Sequence, residues 1–432
     1  MSNPLRLAWF SDSPMAGTGY GTVARNVLLG LHYAYPGEYD IRCLGIGQPL
    51  YIPADPGLYP YPIDVHPQGN PDYGRNNLRA WLQWWKPDVL VVNNDIYETV
   101  YISDPEYLPG RPFPIIHYTP LDSVMPDGLI PESWHGIIAR RDWTVLYQEW
   151  SRGVFAQSVP EAEDRMSVIP HGVDTRLFSP GISTRGDPDT IAVGMVGKNQ
   201  LRKDFPAFLA AMRLVIDECP EVAVYIHTSW RGNITHNIPD LVAAYGLKEH
   251  ILEIEFPGGR QCANGDAIML GELLDVYHKL DIHVLAHQGE AWGLPHGEAM
   301  ASGVPALSTD WAGTREQNFF DWQKLPVKGL RVTHPAIPFL RPLTDIEEMA
   351  SSIIDLCKMT HKQRVALGMK CRKQVEARYS WESIIPQWHA VIQQVVGKYG
   401  AGGLAAWERR QTKEKRGWKV RPEDVRRLEM EA

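Results

Sequence analysis

HQGEAWGLPHGEAMASGVPALSTDWAGTRE, residues 287–316, is the stretch from which the fold can be read. Pro295 suits the first position of a helix, Gly303 suits the residue just past its end, and HGEAMAS between them is rich in helix formers. The stretch therefore predicts a loop, a short helix and a buried strand, Val304 to Ser308. The apolar run DIHVLAH before it, residues 281–287, reads as another strand. A glycine-containing loop thus leads from a strand's carboxyl end into a helix amino terminus, which is where open α/β sheets bind anionic ligands. Glu290 and Glu298 flank the loop with seven residues between them. A helix start attracts phosphate, and carboxylates beside it can accept hydrogen bonds from sugar hydroxyls.

At 432 residues the chain exceeds one ordinary core and fits two domains of about 150 to 200 residues each. A formal charge of -8 argues against broad attraction to nucleic acid or anionic lipid. Cys43, Cys219, Cys262, Cys357 and Cys371 are scattered and lack metal-ligand spacing, so reduced thiols are expected and no zinc site. The amino terminus enters a strand without a basic-then-apolar leader, and no apolar run approaches the roughly 20 residues that span a bilayer. A cytoplasmic protein is the expectation.

Along the chain, LRLAWFSD (residues 5–12) reads as a buried strand, followed by a glycine-rich turn with Gly17, Gly19 and Gly21 and an amphipathic helix. A strand from Tyr39 to Gly45 precedes a Pro- and Tyr-rich surface excursion, Pro49 to Gly74. The helix Asn76 to Trp85 leads to DVLVVNND, a strand ending in Asn94 and Asp95, and PIIHYTPLD (114–122) ends the same way with His117 and Asp122. TVLYQEWSRGVFAQ (144–157) is a strand turning into a helix, and GISTRGDPDT (181–190) is a polar linker. Its Asp187 to Asp189 triplet lies before a strand and is not read as a metal site. The strand IAVGMVG (191–197) then meets Lys198, Arg202 and Lys203 on a loop and helix start; by composition alone these are a solvated face. The strands VAVYIHTS (222–229) and ILEIEF (251–256) and the helix GELLDVYHKL (271–280) follow, and this alternation predicts a doubly wound parallel sheet. Helices over 345–359 and 361–378 close the second lobe.

The stretch from Glu290 to Pro305 resembles the E-x7-E region of the retaining nucleotide-sugar glycosyltransferases, whose pattern runs E-G-F-G-L-P-x-x-E-A-M-A-x-G-x-P. Ala291 stands at a usual glycine, Trp292 at the aromatic and His287 at a usual serine. SVIPHGVDTRLFSP (167–180) resembles the family's link at the end of the first domain, with His171 for Asn, and YSWESIIPQWHAVIQQVV (379–396) resembles its terminal helix. The resemblance covers roughly residues 5–396.

It implies the GT-B fold: α/β, two Rossmann-like doubly wound parallel-sheet domains facing a central cleft, with a C-terminal crossover helix. The implied boundaries are an acceptor domain over 1–180, a donor domain over 181–378, a crossover helix over 379–398 and a charged tail over 399–432. Transfer of a hexose from a nucleoside diphosphate sugar, UDP favoured over GDP, to an acceptor hydroxyl with retention is the implied reaction. By resemblance Glu290 orients the sugar hydroxyls, Glu298 holds the ribose and His117 contacts the sugar. Lys198 and Lys203 keep the spacing of the family's G-R-x-x-x-x-K; with Arg202, Gly19 and the amides near Gly293 and Leu294 they serve the diphosphate. Asn94, Asp95 and Asp122 are acceptor-side candidates. No metal or other cofactor is expected, and the donor is a co-substrate. The expected acceptor is a glycan, a lipid-linked sugar or a small molecule. A hydroxymethylated DNA base is an alternative, kept by the tail from Glu408 to Glu431, which carries nine basic and six acidic residues, a net of +3. A phosphorylase of the same architecture and a catalytically inactive nucleotide-sugar-binding protein are further alternatives.

Overall fold

The computed structural model describes residues 3–54, 61–68, 72–104, 106–181, 189–230, 235–252, 255–256, 260–261, 270–332 and 337–399. The Asp187 side of the 181–190 linker, Cys262, parts of the 49–74 excursion and the tail beyond residue 399 lie outside them. The chain forms two compact units. One contains the residues up to Pro120, Gly128–Gly172 and the chain from Trp381 onward; the other contains Leu121–Asp127 and Val173–Ser380.

The first unit is built on seven strands: β1 (Leu5–Asp12), β2 (Tyr39–Ile46), β3 (Asp64–Gln68), β4 (Val89–Asn93), β5 (Ile115–Tyr118), β6 (Trp143–Leu146) and β7 (Met166–Val168). Their order is β3-β2-β1-β4-β5-β6-β7, and every neighbouring pair is parallel. Such a sheet is covered on both faces, so its strands are near-continuous apolar runs; β4, β5 and β6 are buried throughout. On one face Ala8, Phe10, Leu90, Val92 and Ile115 pack with Leu78, Trp81 and Leu82 of the helix Leu78–Trp85. Helix Gly19–Ala34 packs against the terminal helix Trp381–Tyr399. A side chain at Gly30 would collide with Ile385, so glycine lets the two axes approach. Trp388 meets Trp9 of β1 edge to face, with ring centroids 5.3 Å apart. β3 lies inside the stretch expected as a surface excursion; Pro67 is tolerated there because β3 is the edge strand.

The second unit carries β8 (Ile191–Val196) and β9 (Val222–His227), a short antiparallel pair β10 (Glu255–Phe256) and β11 (Arg260–Gln261), then β12 (Ile282–Leu285), β13 (Ala306–Thr309) and β14 (Lys324–Leu325). The main sheet is parallel, in the order β14-β13-β12-β8-β9. ILEIEF was expected to continue this ladder. Its described residues Ile251 and Leu252 lie parallel beside β9, with a bridge from Ile251 to Val224 and Leu252 N–H donating to Val224 O at 2.9 Å, while Glu255 and Phe256 pair antiparallel with Arg260 and Gln261. Helix Phe205–Glu218 opens on Asp204, whose side chain accepts from Ala207 N–H, and its apolar face enters the core with Val193, Met195, Val284 and Leu307. An antiparallel hairpin, β15 (Val327–Val332) and β16 (Leu340–Thr344), was not foreseen. The two parallel sheets, with helices between their strands, agree with the expected architecture of two doubly wound domains.

Candidate functional site: a carboxylate held by two cations

In the second unit, two loops at the carboxyl edge of the sheet are laced together by backbone bonds. Lys203 and His287 form an isolated antiparallel bridge. Gln288 N–H donates to Arg202 O at 2.7 Å, and Asp204 N–H donates to Ala286 O at 3.1 Å. This pairing of the chain after β8 with the chain after β12 brings both cations to Glu290. Lys203 Nζ lies 2.6 Å from Glu290 Oε1, and Arg202 Nη1 donates to the same oxygen. Lys203 and Glu290 are each only 4% exposed. A buried ion pair survives desolvation only with close geometry. Burial by itself would push the Glu290 carboxyl up, but Arg202 and Lys203 override it and hold the pKa at about 2. Burial lowers the Lys203 pKa, against the pull of Glu290.

The loop beyond Glu290 turns into the helix Leu294–Ala301 through Gly293, whose φ of 91° lies in the left-handed region that favours glycine. The first-turn N–H groups of a helix have no intrahelical acceptor, so this end carries partial positive charge. Glu298 sits in the same helix, 7% exposed, and its Oε2 accepts a hydrogen bond from Tyr277 OH at 2.8 Å. Its charge also acts on Lys203. The chain after β13 covers the loop: Gly313 N–H donates to Glu290 O at 2.8 Å, and Gln317 Nε2 donates to Trp292 O.

His287 locks the turn from beneath. Thr314 Oγ1 donates to Thr309 O at 2.7 Å, so its single proton is used and His287 Nε2, 2.8 Å away, must be the donor to that oxygen. Nδ1 then accepts from Gly289 N–H at 3.1 Å. Burial, only partly opposed by Glu290, keeps this ring neutral with a pKa of about 3; His296, also fully buried, is held at about 4. Both folded pKa values lie below the unfolded value of about 6.5, so the unfolded chain binds more protons and stability falls as pH drops through that window. Each ring is expected to contribute a slope of about 1.4 kcal/mol per pH unit between roughly pH 6 and 4. Urea unfolding of His287→Asn at pH 7 and pH 5 checks this: the variant should lose less stability on acidification than the wild type. An equal loss would mean that His287 is not the titrating group.

Of the residues the sequence singled out, Arg202, Lys203, Glu290, Gly293, Leu294 and Glu298 are thus gathered on one edge of the second unit. Lys198 is exposed there and pairs with no described residue. Asp122 belongs to the same unit and is bound by Arg341, a residue the sequence did not bring forward. Gly19, Asn94, Asp95 and His117 belong to the first unit. Gly19 opens its helix beside Thr18, which accepts from Gly21 N–H and donates to Asp12 Oδ2 at 2.6 Å. Asp95 N–H donates to Asn94 Oδ1 at 2.7 Å at the end of β4. His117 lies within β5, between Val92 and Thr144, 3% exposed. Burial, then the charges of Arg141 and Arg111, push its pKa well down. Among the described residues no group of three His, Cys, Asp or Glu side chains could hold a metal ion, and no helix is long and apolar enough to cross a membrane.

No family model matches the chain. The lipopolysaccharide core biosynthesis mannosyltransferase LpcC of Rhizobium leguminosarum bv. viciae is 30% identical over 165 residues, which cover 33% of this chain and 40% of that protein. The chain therefore matches well under half the length of this relative. Among solved structures, sucrose-phosphate synthase from Thermosynechococcus elongatus superposes with a TM-score of 0.72 at 17% identity, covering 91% of this chain and 99% of that one. HepE of Anabaena in complex with UDP superposes with a TM-score of 0.62 at 14% identity, covering 90% and 100%. At such identities the likeness concerns the fold, which is the GT-B arrangement of two parallel-sheet α/β domains.

Proposed function

We propose that the chain is a glycosyltransferase that moves a hexose from a nucleoside diphosphate sugar to an acceptor hydroxyl with retention of anomeric configuration. The observation that carries this reading is the Glu290 carboxylate held by Lys203 and Arg202 beside the Gly293 helix start. Breaking a glycosyl–phosphate bond leaves negative charge on the diphosphate. Fixed cations and unpaired helix N–H groups stabilise that charge more in the transition state than in the ground state. Lys203, Arg202 and the amides of Gly293 and Leu294 take this role, with the exposed Lys198 as an outer charge. Glu290 Oε1 is occupied by the cations, and Oε2 makes no hydrogen bond to a described residue, so it can accept from a sugar hydroxyl. Glu298, already oriented by Tyr277, holds the ribose.

Lys203 and Arg202 supply the charge that a metal supplies in other phosphoryl chemistries, and the proposed step runs on these residues. Same-face attack, with the departing phosphate taking the acceptor's proton, accounts for retention; it follows from the resemblance noted above. His117 and Gly19 are proposed as contributions of the first unit, and Asn94, Asp95 and Asp122 as acceptor-side groups. The name of the Rhizobium relative supports hexose transfer, and the UDP bound to HepE supports UDP as the nucleotide. The acceptor is proposed to be a glycan, a lipid-linked sugar or a small molecule in the cytoplasm.

Incubation with a panel of UDP- and GDP-hexoses should release nucleoside diphosphate, and proton NMR of the product should show the donor's anomeric configuration. No release from any donor overturns the reading; inverted product overturns retention. Lys203→Met is expected to weaken nucleoside diphosphate binding by about 10- to 100-fold, the worth of a charge-assisted hydrogen bond. Calorimetric titration with UDP and GDP checks this, and an unchanged Kd would remove Lys203 from the phosphate site.

A further inference from the structure

Arg341, which pairs with Asp122 close to Glu290, has no place in the chemistry above. Arg341 lies on β16, in a hairpin outside every motif the sequence displays. Its Nη1 donates to Asp122 Oδ2 at 2.9 Å and to Gln288 O at 3.2 Å. Among the described residues its side-chain hydrogen bonds run through that one nitrogen, so Nε and Nη2 make none there, while the guanidinium carbon lies 5.9 Å from the Phe339 ring centroid. Among the described residues the Asp122 carboxylate likewise uses Oδ2 alone, and Oδ1 makes no hydrogen bond there. Both side chains are partly buried, 17% exposed for Arg341 and 26% for Asp122.

The pair is held in place by backbone. Leu340 N–H donates to Val124 O at 2.8 Å, and Ser123 Oγ donates to Leu340 O, which straps residues 123–124 to β16. Gly289, between the pair and Glu290, has a φ of 146°, and a side chain there would collide with Arg341 Nη1 and crowd Asp122 O. The turn 288–290 is thus gripped from two sides. Arg202 binds the Gly289 carbonyl at 3.3 Å and Arg341 binds the Gln288 carbonyl.

We propose that Arg341 is a specificity-determining residue of the transferred sugar, acting with Asp122, in place of an acceptor-side role for that carboxylate, as a hydroxyl-reading pair beside Glu290. The inference rests on the transferase reading and names what in that site tells one hexose from another. The free guanidinium edge offers two N–H donors in a fixed plane, and the free Asp122 oxygen offers an acceptor. A sugar hydroxyl both accepts and donates, so one hydroxyl, or two adjacent ones, can satisfy both groups. An epimer that turns its hydroxyl away leaves the pair unsatisfied, and a site built on hydrogen bonds rejects such an analogue strongly. The ligand class is a neutral hexose. A sugar bearing a carboxylate at that position would face the Asp122 charge.

The test is kcat/KM for nucleoside diphosphate release from UDP- and GDP-linked glucose, galactose and mannose by the full chain, by Arg341→Gln and by Arg341→Lys. Arg341→Gln is expected to lose about 10- to 100-fold toward the best donor and to flatten the ranking among epimers. Arg341→Lys keeps charge but not the planar fork and should fall between. UDP and GDP affinities, measured by calorimetry, should stay within about twofold of wild type, because these atoms face the sugar rather than the phosphate. A purely structural role would lower all donors equally and leave the ranking intact, and that outcome overturns the inference alone. No nucleoside diphosphate release by the wild type overturns the transferase reading, and the inference with it.

Discussion

Glu290→Gln is expected to lower donor turnover by at least about 100-fold, the scale of removing one preorganised electrostatic group from a reacting centre. Glutamine keeps an oxygen where Lys203 Nζ lies at 2.6 Å, so the contact persists as a hydrogen bond while the negative charge goes. The sugar would lose a charged acceptor, and two cations would be left without their counter-charge. Glu290→Ala is harsher. Lys203 is 4% exposed, and removing one partner of a buried pair costs about 3 to 5 kcal/mol because the other charge stays behind. The two variants separate chemistry from folding: alanine should lose activity and melting temperature together, whereas glutamine should lose activity with a smaller change in melting. Nucleoside diphosphate release and thermal melting on both variants decide it. Turnover by Glu290→Gln within about threefold of wild type would show that the carboxylate does not act on the sugar.

The second large effect is expected at Gly313. Its N–H donates to Glu290 O at 2.8 Å, and a Cβ built there would run into the carbonyls of Ala291 and Glu290. These are backbone atoms and cannot swing aside. Gly313→Ala must push the 290–292 turn away or break its own hydrogen bond. A cost of about 3 kcal/mol, at the upper end for overpacking, corresponds to a fall in melting temperature of about 6 to 12 °C for a unit of this size. Because the displaced turn carries Glu290, turnover should fall as well. Gly329, with nothing within 4 Å of a built Cβ, is the control, and its alanine variant should melt within about 2 °C of wild type. Equal melting of the two variants would show that the turn has room to relax.

Much of this architecture was legible because the signals are local. A parallel strand covered on both faces is an apolar run, and IAVGMV and DIHVL read that way without tertiary help. Gly293, Pro295 and Gly303 mark a helix start and stop through backbone geometry that travels with those residue types. β3 and the hairpin β15–β16 were missed, the first because Pro67 argues against a strand anywhere but at an edge. ILEIEF meets the parallel sheet at Ile251 and Leu252, but its Glu255–Phe256 end pairs with Arg260 and Gln261, because a short apolar run does not announce its partner.

Residue chemistry and chain period by themselves determined two α/β domains, the helix start after Gly293, and Glu290 and Glu298 as residues to watch, while Lys203 came forward only through the family resemblance. Tertiary structure decided how they act. Lys203 and Arg202 converge on one carboxylate oxygen because a backbone ladder 84 residues apart in sequence, Lys203 to His287, sets their register. Burial keeps His287 neutral, and its Nε2 is the donor because Thr314 has already spent its proton and Gly289 N–H takes Nδ1. Arg341 meets Asp122 across 219 residues of chain. Hydrogen bonds of that span depend on how separately folded segments are placed, and no local pattern of residues encodes that placement.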